Sequence, residues 1–441
     1  MTGIVVEPDL TWTGEGFAPR VQIAVSGDGR IEAVGDLGRA PTHRLNRTAL
    51  LPGFVNAHSH AFQRGLRGHG ERFPAGTGSF WTWRQAMYGL VGSLDHAVLR
   101  ALSVQAFREM RDAGITTVGE FHYVHHEREE DFAFDEVMLE AAAEVGIRIV
   151  LLECFYATGA VGQPLQGAQR RFATPSLDDF FGRLDRLSAA LDPATQSLGA
   201  VAHSIRAATP SQIRAVYDEA VRRGLPFHMH VEEQRREIEE CRAAYGRTPM
   251  AVILDALDGR GDFTAVHCTH TTAEDMEAFL ATGGRVCLCP LTEGNLGDGI
   301  PSLSLPHATG GRLCLGSDSN ARLAMLEDMR WLEYGQRLKG EIRGALADHD
   351  GDVAGVLLAA ATTGGARALG IDAGRIRQGA WGDFVVVDLE TPSLVGVAPA
   401  RLLDALIFGA GNEVIAGTFV GGHWRARRRG RLDGGRAGTH L

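Results

Sequence analysis

Through the middle of the chain, short apolar runs alternate with amphipathic stretches. The β-like runs fall at 50–57, 115–121, 147–153, 198–202, 226–231, 263–267, 285–289 and 312–316. Stretches such as 95–113, 135–145, 210–223 and 274–281 carry apolar residues at helical spacing between them. This rhythm predicts parallel strands joined by crossover helices. Eight such units over about 320 residues fit a (β/α)8 barrel better than a doubly wound sheet. Before residue 48 the texture differs: Val21-Gln22-Ile23-Ala24-Val25 runs into Gly27-Asp28-Gly29, as in hairpins. Similar strings return at 384–387 and 414–420. The expected architecture is therefore α/β: a TIM-like barrel over 49–369 and a small β-sandwich domain built from both termini, 1–48 and 370–441.

Composition narrows the function. The 44% hydrophobic and 22% charged content is that of a globular protein. A formal charge of −10 argues against a nucleic-acid or membrane-surface partner and toward a small molecule. The arginine-rich stretch 425–431 reads as a solvated terminus. The six cysteines are scattered through apolar segments without a paired metal-knuckle pattern, and read as reduced and buried. With Glu7 and Asp9 early and no basic, then apolar, leader, the reading is a cytoplasmic protein.

In a barrel of this kind chemistry belongs at the carboxyl ends of strands. At the end of the first run stands Pro52-Gly53-Phe54-Val55-Asn56-Ala57-His58-Ser59-His60, where positions i and i+2 of an extended segment turn two imidazoles the same way. His230 in Phe227-His228-Met229-His230 and Asp318 in Gly316-Ser317-Asp318 end the fifth and eighth runs. His58, His60, His230 and Asp318 make a three-histidine, one-carboxylate set that leaves room for water on a divalent ion. His267, ending the sixth run, is placed to polarise substrate or orient the water, with His270 as its competitor. Glu233, three residues after His230, is placed as a proton shuttle.

These pieces together resemble the amidohydrolase superfamily, in its aminohydrolase branch, over nearly the whole chain; Gly379-Ala380-Trp381-Gly382-Asp383-Phe384 looks like that family's return into the small β domain. Some members bridge two metals with a carboxylated lysine from the fourth strand. Here Lys339 is the sole lysine and lies beyond every barrel run, so one divalent ion per chain is expected, zinc ahead of iron and manganese, which the same donor set accepts. Longer strings are similar to the formimidoylglutamate deiminase family: His58-Ser59-His60-Ala61-Phe62-Gln63-Arg64, Phe80-Trp81-Thr82-Trp83-Arg84, Glu120-Phe121-His122-Tyr123-Val124-His125-His126, His203-Ser204-Ile205-Arg206 and Thr292-Glu293-Gly294-Asn295-Leu296-Gly297-Asp298-Gly299.

That resemblance implies a homodimer that deiminates a dicarboxylate, N-formimino-L-glutamate, in histidine degradation. It puts substrate contacts at Gln63, Arg84, Tyr123, His203 and Arg206. Guanidinium forks suit a dicarboxylate independently of the resemblance. In the implied chemistry Asp318 takes the water's proton, His267 stabilises the tetrahedral centre and Glu233 protonates the departing nitrogen. Asn320 departs from the histidine expected there in some relatives. Two rival readings stand beside this one: an aminohydrolase for a purine, pterin or other cyclic amidine, and a noncatalytic metal-binding scaffold.

Overall fold

The computed structural model describes residues 3–69, 71–73, 76, 78–128, 130–303 and 311–427; the arginine-rich tail lies outside the described residues from 428 onward. Eight parallel strands pair in sequence order: Phe54–Ser59, Ile115–His122, Arg148–Phe155, Gln196–Ala202, Phe227–Val231, Thr264–His267, Arg285–Leu288 and Leu313–Leu315. After the eighth strand the chain meets the first again. The Ser317 and Asp318 amides each donate to the His58 carbonyl at 3.0 Å, and the His60 amide donates to the Asp318 carbonyl at 2.9 Å. The barrel is thus closed by the residues singled out for chemistry.

Strands covered on both faces must be apolar along their length. Every residue of Arg148–Phe155 is accordingly buried, and so is every residue of Ile115–His122. The crossover helices begin and end on local signals. In Pro210–Arg223 the Thr209 side chain accepts from the Gln212 amide, proline opens the first turn, and Gly224 leaves the helix at φ 66°.

The first run differs from its expected form. Residues 50–52 finish strand His43–Pro52 of the second sheet, and the barrel strand begins only at Phe54. Gly53 makes the break: a Cβ there would stand 2.1 Å from Thr116 Oγ1, so only glycine passes.

The second sheet runs His423–Ala426, Ile415–Val420, Phe384–Asp388, His43–Pro52, Ile4–Trp12, Gln22–Val25, Ile31–Gly35, with Phe17–Pro19 beside Ile4–Trp12. The two termini meet where Phe384–Asp388 pairs antiparallel with His43–Pro52. Val6, Ile23, Leu50, Phe384 and Phe419 fill its own core. Arg148 joins sheet to barrel, with Nε 2.8 Å from Asp383 Oδ2 and its guanidinium over the Trp381 ring. Among the described residues no helix is long and apolar enough to cross a membrane.

Candidate metal centre and active site

His58 and His60 leave the first strand on one face, and His230 and Asp318 reach them from the fifth strand and the turn after the eighth. His58 Nε2 is 3.2 Å from His230 Nε2 and 3.4 Å from Asp318 Oδ1; His60 Nε2 is 3.3 Å from the same oxygen. Ligand atoms of His58, His230, His267 and Asp318 all lie within 4.8 Å of one another, and His60 joins this group through Asp318.

The ring nitrogens suit a cation. His60 Nδ1 donates to the Phe121 carbonyl at 2.8 Å and His230 Nδ1 to the His203 carbonyl at 3.0 Å. Burial, with His58 adding to it, takes His60 down to about 3, and burial drives His58 and His230 well below the ordinary histidine value. A neutral ring that has spent its proton on a carbonyl presents a bare Nε2 lone pair. The Nε2 atoms of His58 and His230, 3.2 Å apart and beside a carboxylate, are a donor set that suits a divalent cation. Lys339 takes no part: its Nζ donates to the Ile300 carbonyl and Ser302 Oγ.

His267 is different. Burial opposes charge on it, yet the Glu233, Glu293 and Asp318 carboxylates raise it to about 10. Its Nδ1 donates to Glu293 Oε1 at 3.3 Å, and its Nε2 stands 3.9 Å from Asp318 Oδ2. His270 lies outside the cavity wall, bonded to the Asp298 backbone.

One cavity gathers Gln63, Arg84, Tyr123, His203, Arg206, Glu233, His267 and Asp318, with His60 and His230 at the same wall. Gln63 Nε2 donates to the Tyr123 hydroxyl at 2.9 Å and leaves its own buried Oε1 without a partner. Burial lifts Tyr123 well above its usual value, so its hydroxyl keeps its proton. Burial, with Arg206 nearby, lowers His203 and keeps that ring neutral. The segment 80–84 is the first turn of helix Phe80–Ser93, capped by Ser79 and Thr82. Arg84 stands over Trp81 and Tyr88; Trp83 walls the cavity, whereas Trp81 lies outside it under Arg236.

Several participants went unread in the sequence. Tyr88, Tyr156 and Phe172 complete the aromatic wall. Asn320 Nδ2 donates to the His60 carbonyl at 2.9 Å and Ser59 Oγ at 3.1 Å, while its Oδ1 accepts from Ser317 Oγ at 2.6 Å. Asn56 holds Ser317 from the other side, and Arg64 donates to the Asn320 and Ala321 carbonyls. A fully buried asparagine inside a strand was the available signal for Asn56. Asp135 anchors the stretch after Tyr123, accepting from His122 and His125 and pairing with Arg183. Left-handed backbone collects at the strand ends, at Glu232, His267, Cys268, Asp318 and Asn320, the kind of strain that functional sites hold.

The chain belongs to the amidohydrolase family, whose model matches residues 49–425. Among curated relatives it is 38% identical to the formimidoylglutamate deiminase of Pseudomonas aeruginosa, over 96% of this chain and 94% of that protein. Two crystal structures share the fold. An amidohydrolase from Brucella melitensis aligns at TM-score 0.82 and 30% identity, covering 96% of each chain. An adenosine deaminase from Xanthomonas campestris with bound zinc aligns at TM-score 0.79 and 25% identity, covering 97% of this chain and 94% of the other.

Proposed function

We propose that this protein hydrolyses N-formimino-L-glutamate to N-formyl-L-glutamate and ammonia, as a hydrolase acting on a linear amidine C–N bond. The observation that carries the reading is the pairing of two arginines, Arg84 and Arg206, with the histidine–aspartate cluster in one cavity wall. A substrate with two carboxylates and one hydrolysable carbon matches that arrangement. The described residues 3–52 and 370–427 serve as the supporting β domain, and the catalytic barrel takes over at Phe54.

One divalent ion, zinc, is assigned to His58, His60, His230 and Asp318. An ion held there supplies Lewis acidity and lowers the pKa of water toward roughly 7. The chain's own groups do the rest. Asp318 takes the attacking water's proton. His267, fixed through Nδ1 by Glu293, turns Nε2 toward the developing charge. The departing nitrogen takes up both protons of the water, one passed on from Asp318 and one carried by Glu233 from the hydroxyl of the tetrahedral centre, so that ammonia leaves and both carboxylates return to their starting state. Tyr123 and Gln63 donate and accept at the wall, and Arg84 and Arg206 hold the carboxylates.

Six unpaired cysteines support a cytoplasmic setting. The net charge of −10 supports a small molecule rather than nucleic acid as partner. A homodimer follows the family resemblance.

Arg84→Met tests the substrate class. The dicarboxylate reading expects KM for N-formimino-L-glutamate to rise by about tenfold or more, with zinc retained, because a charged contact to a substrate carboxylate is lost. An unchanged KM would favour a cyclic amidine substrate.

A further inference from the structure

The Arg206 guanidinium is flanked by two carboxylates that follow the fifth barrel strand. Nη2 stands 3.4 Å from Glu233 Oε2, and Nε stands 3.6 Å from Glu237 Oε2. The two acids differ in place: Glu233 lines the cavity, whereas Glu237 is 1% exposed and sits behind it in the first turn of helix Arg235–Tyr245. Arg206 Nε and Glu237 Oε2 are both buried, and neither has a hydrogen-bond partner. Both carboxylates lie along the Nε–Nη2 edge, which leaves the Nη1 end for a ligand.

A buried carboxylate is costly to keep unless a cation answers it. Burial pushes Glu237 up to about 7 against the pull of Arg206, so its charge leans on that arginine. Conversely, an arginine reaching into a cavity on a long stem needs a second contact to face one way.

We propose that Glu237 is the positioning residue for Arg206, holding the guanidinium by its Nε edge so that the Nη1 end meets a carboxylate of the substrate. The proposal rests on the reading of Arg206 as a carboxylate clamp. Glu237 touches no reacting atom; its Oε1 accepts from the Glu232 amide at 3.4 Å, a bond that glutamine can also accept, and its Oε2 faces Arg206. Its own charge repels the substrate carboxylate, so the positioning role and simple electrostatics predict opposite signs for its removal.

The experiment uses zinc-loaded wild-type protein, Glu237→Gln, Arg206→Met and the double variant. Calorimetry with glutarate, a plain dicarboxylate, reads the clamp without turnover. Positioning predicts that Glu237→Gln weakens glutarate by about tenfold or more, as loss of one partner of a buried pair does. In the Arg206→Met background the same change should add nothing, because the group it positions is gone. KM for N-formimino-L-glutamate should follow the glutarate affinity, with kcat changing less.

Glutarate that binds Glu237→Gln as well as or better than wild type overturns the proposal. So does a double variant in which the two losses multiply, or a wild type that binds no glutarate. Glu237→Asp, which keeps the charge, provides the second arm: it should recover part of the affinity, and an Asp variant no better than Gln refutes a charge-based role. Ammonia release is read on the same preparations. A wild type that binds glutarate but releases no ammonia refutes the proposed reaction while the Glu237 result stands on binding alone.

Discussion

Removing the Asn320 side chain tests how the site is held together. Asn320→Ala deletes three buried hydrogen bonds, to Ser59 Oγ, to the His60 carbonyl and from Ser317 Oγ. Each contributes about 1 kcal/mol net. The His60 carbonyl keeps the Gln63 amide as a donor at 3.0 Å, so it is not orphaned and adds no further penalty. Alanine must also hold φ 56°, which asparagine tolerates and alanine resists by about 1 kcal/mol. The sum is about 4 kcal/mol. Because the deleted bonds tie the His58–His60 strand end to the Asp318 turn, zinc affinity should fall by about 10–100-fold, the range seen when groups behind metal ligands are removed. Two assays separate these effects: denaturant unfolding of the metal-free protein for the first, and chelator competition for zinc for the second. An Asn320→Ala protein that keeps both the wild-type midpoint and the wild-type zinc affinity would refute the argument that this network aligns the cluster.

Two further outcomes follow from the geometry. Glu233→Gln should cut turnover by about a hundred- to ten-thousandfold with zinc still bound, and near-normal ammonia release would take Glu233 out of the proton transfer. Asp328, in helix Met325–Gly340, is 1% exposed; burial raises its carboxyl well above the ordinary value, with the Leu291 amide its one hydrogen-bond donor among the described residues. A raised folded-state pKa means the associated stability is complete below the ordinary carboxylate value and declines as pH rises toward the folded-state value. Asp328→Asn should therefore flatten the fall of the unfolding midpoint between acid and neutral pH. A variant whose midpoint declines as steeply as the wild type's would contradict this.

What the sequence discloses, and what it conceals, divides along physical lines. The eight barrel strands were legible because strands buried on both faces leave unbroken apolar runs. His58, His60, His230 and Asp318 were legible because they stand directly at the ends of those runs. The break at Gly53 was hidden, since residues on either side are equally apolar and only Thr116, sixty-three positions on, shows why a side chain cannot pass. Helix Phe80–Ser93 was hidden by its aromatic opening; the cap between Ser79 and Thr82 overrides that local preference. Pairs such as Arg206 with Glu237, His267 with Glu293 and Asn320 with Ser59 leave no local pattern, because neighbouring strands bring the first two together and the barrel's closure the third. Tyr88, Tyr156 and Phe172 come from three separate segments, and each alone reads as ordinary core.

The central claim, a zinc-dependent deiminase for a linear dicarboxylate amidine, meets its most direct test in ammonia release by zinc-loaded protein from N-formimino-L-glutamate. Adenosine, guanine and N-formimino-glycine are run beside it. The account predicts rapid release from the glutamate compound and little from the others, since the glycine compound lacks the second carboxylate and the ring bases lack both. Release only from a ring substrate, or equal release from the glycine compound, would contradict it.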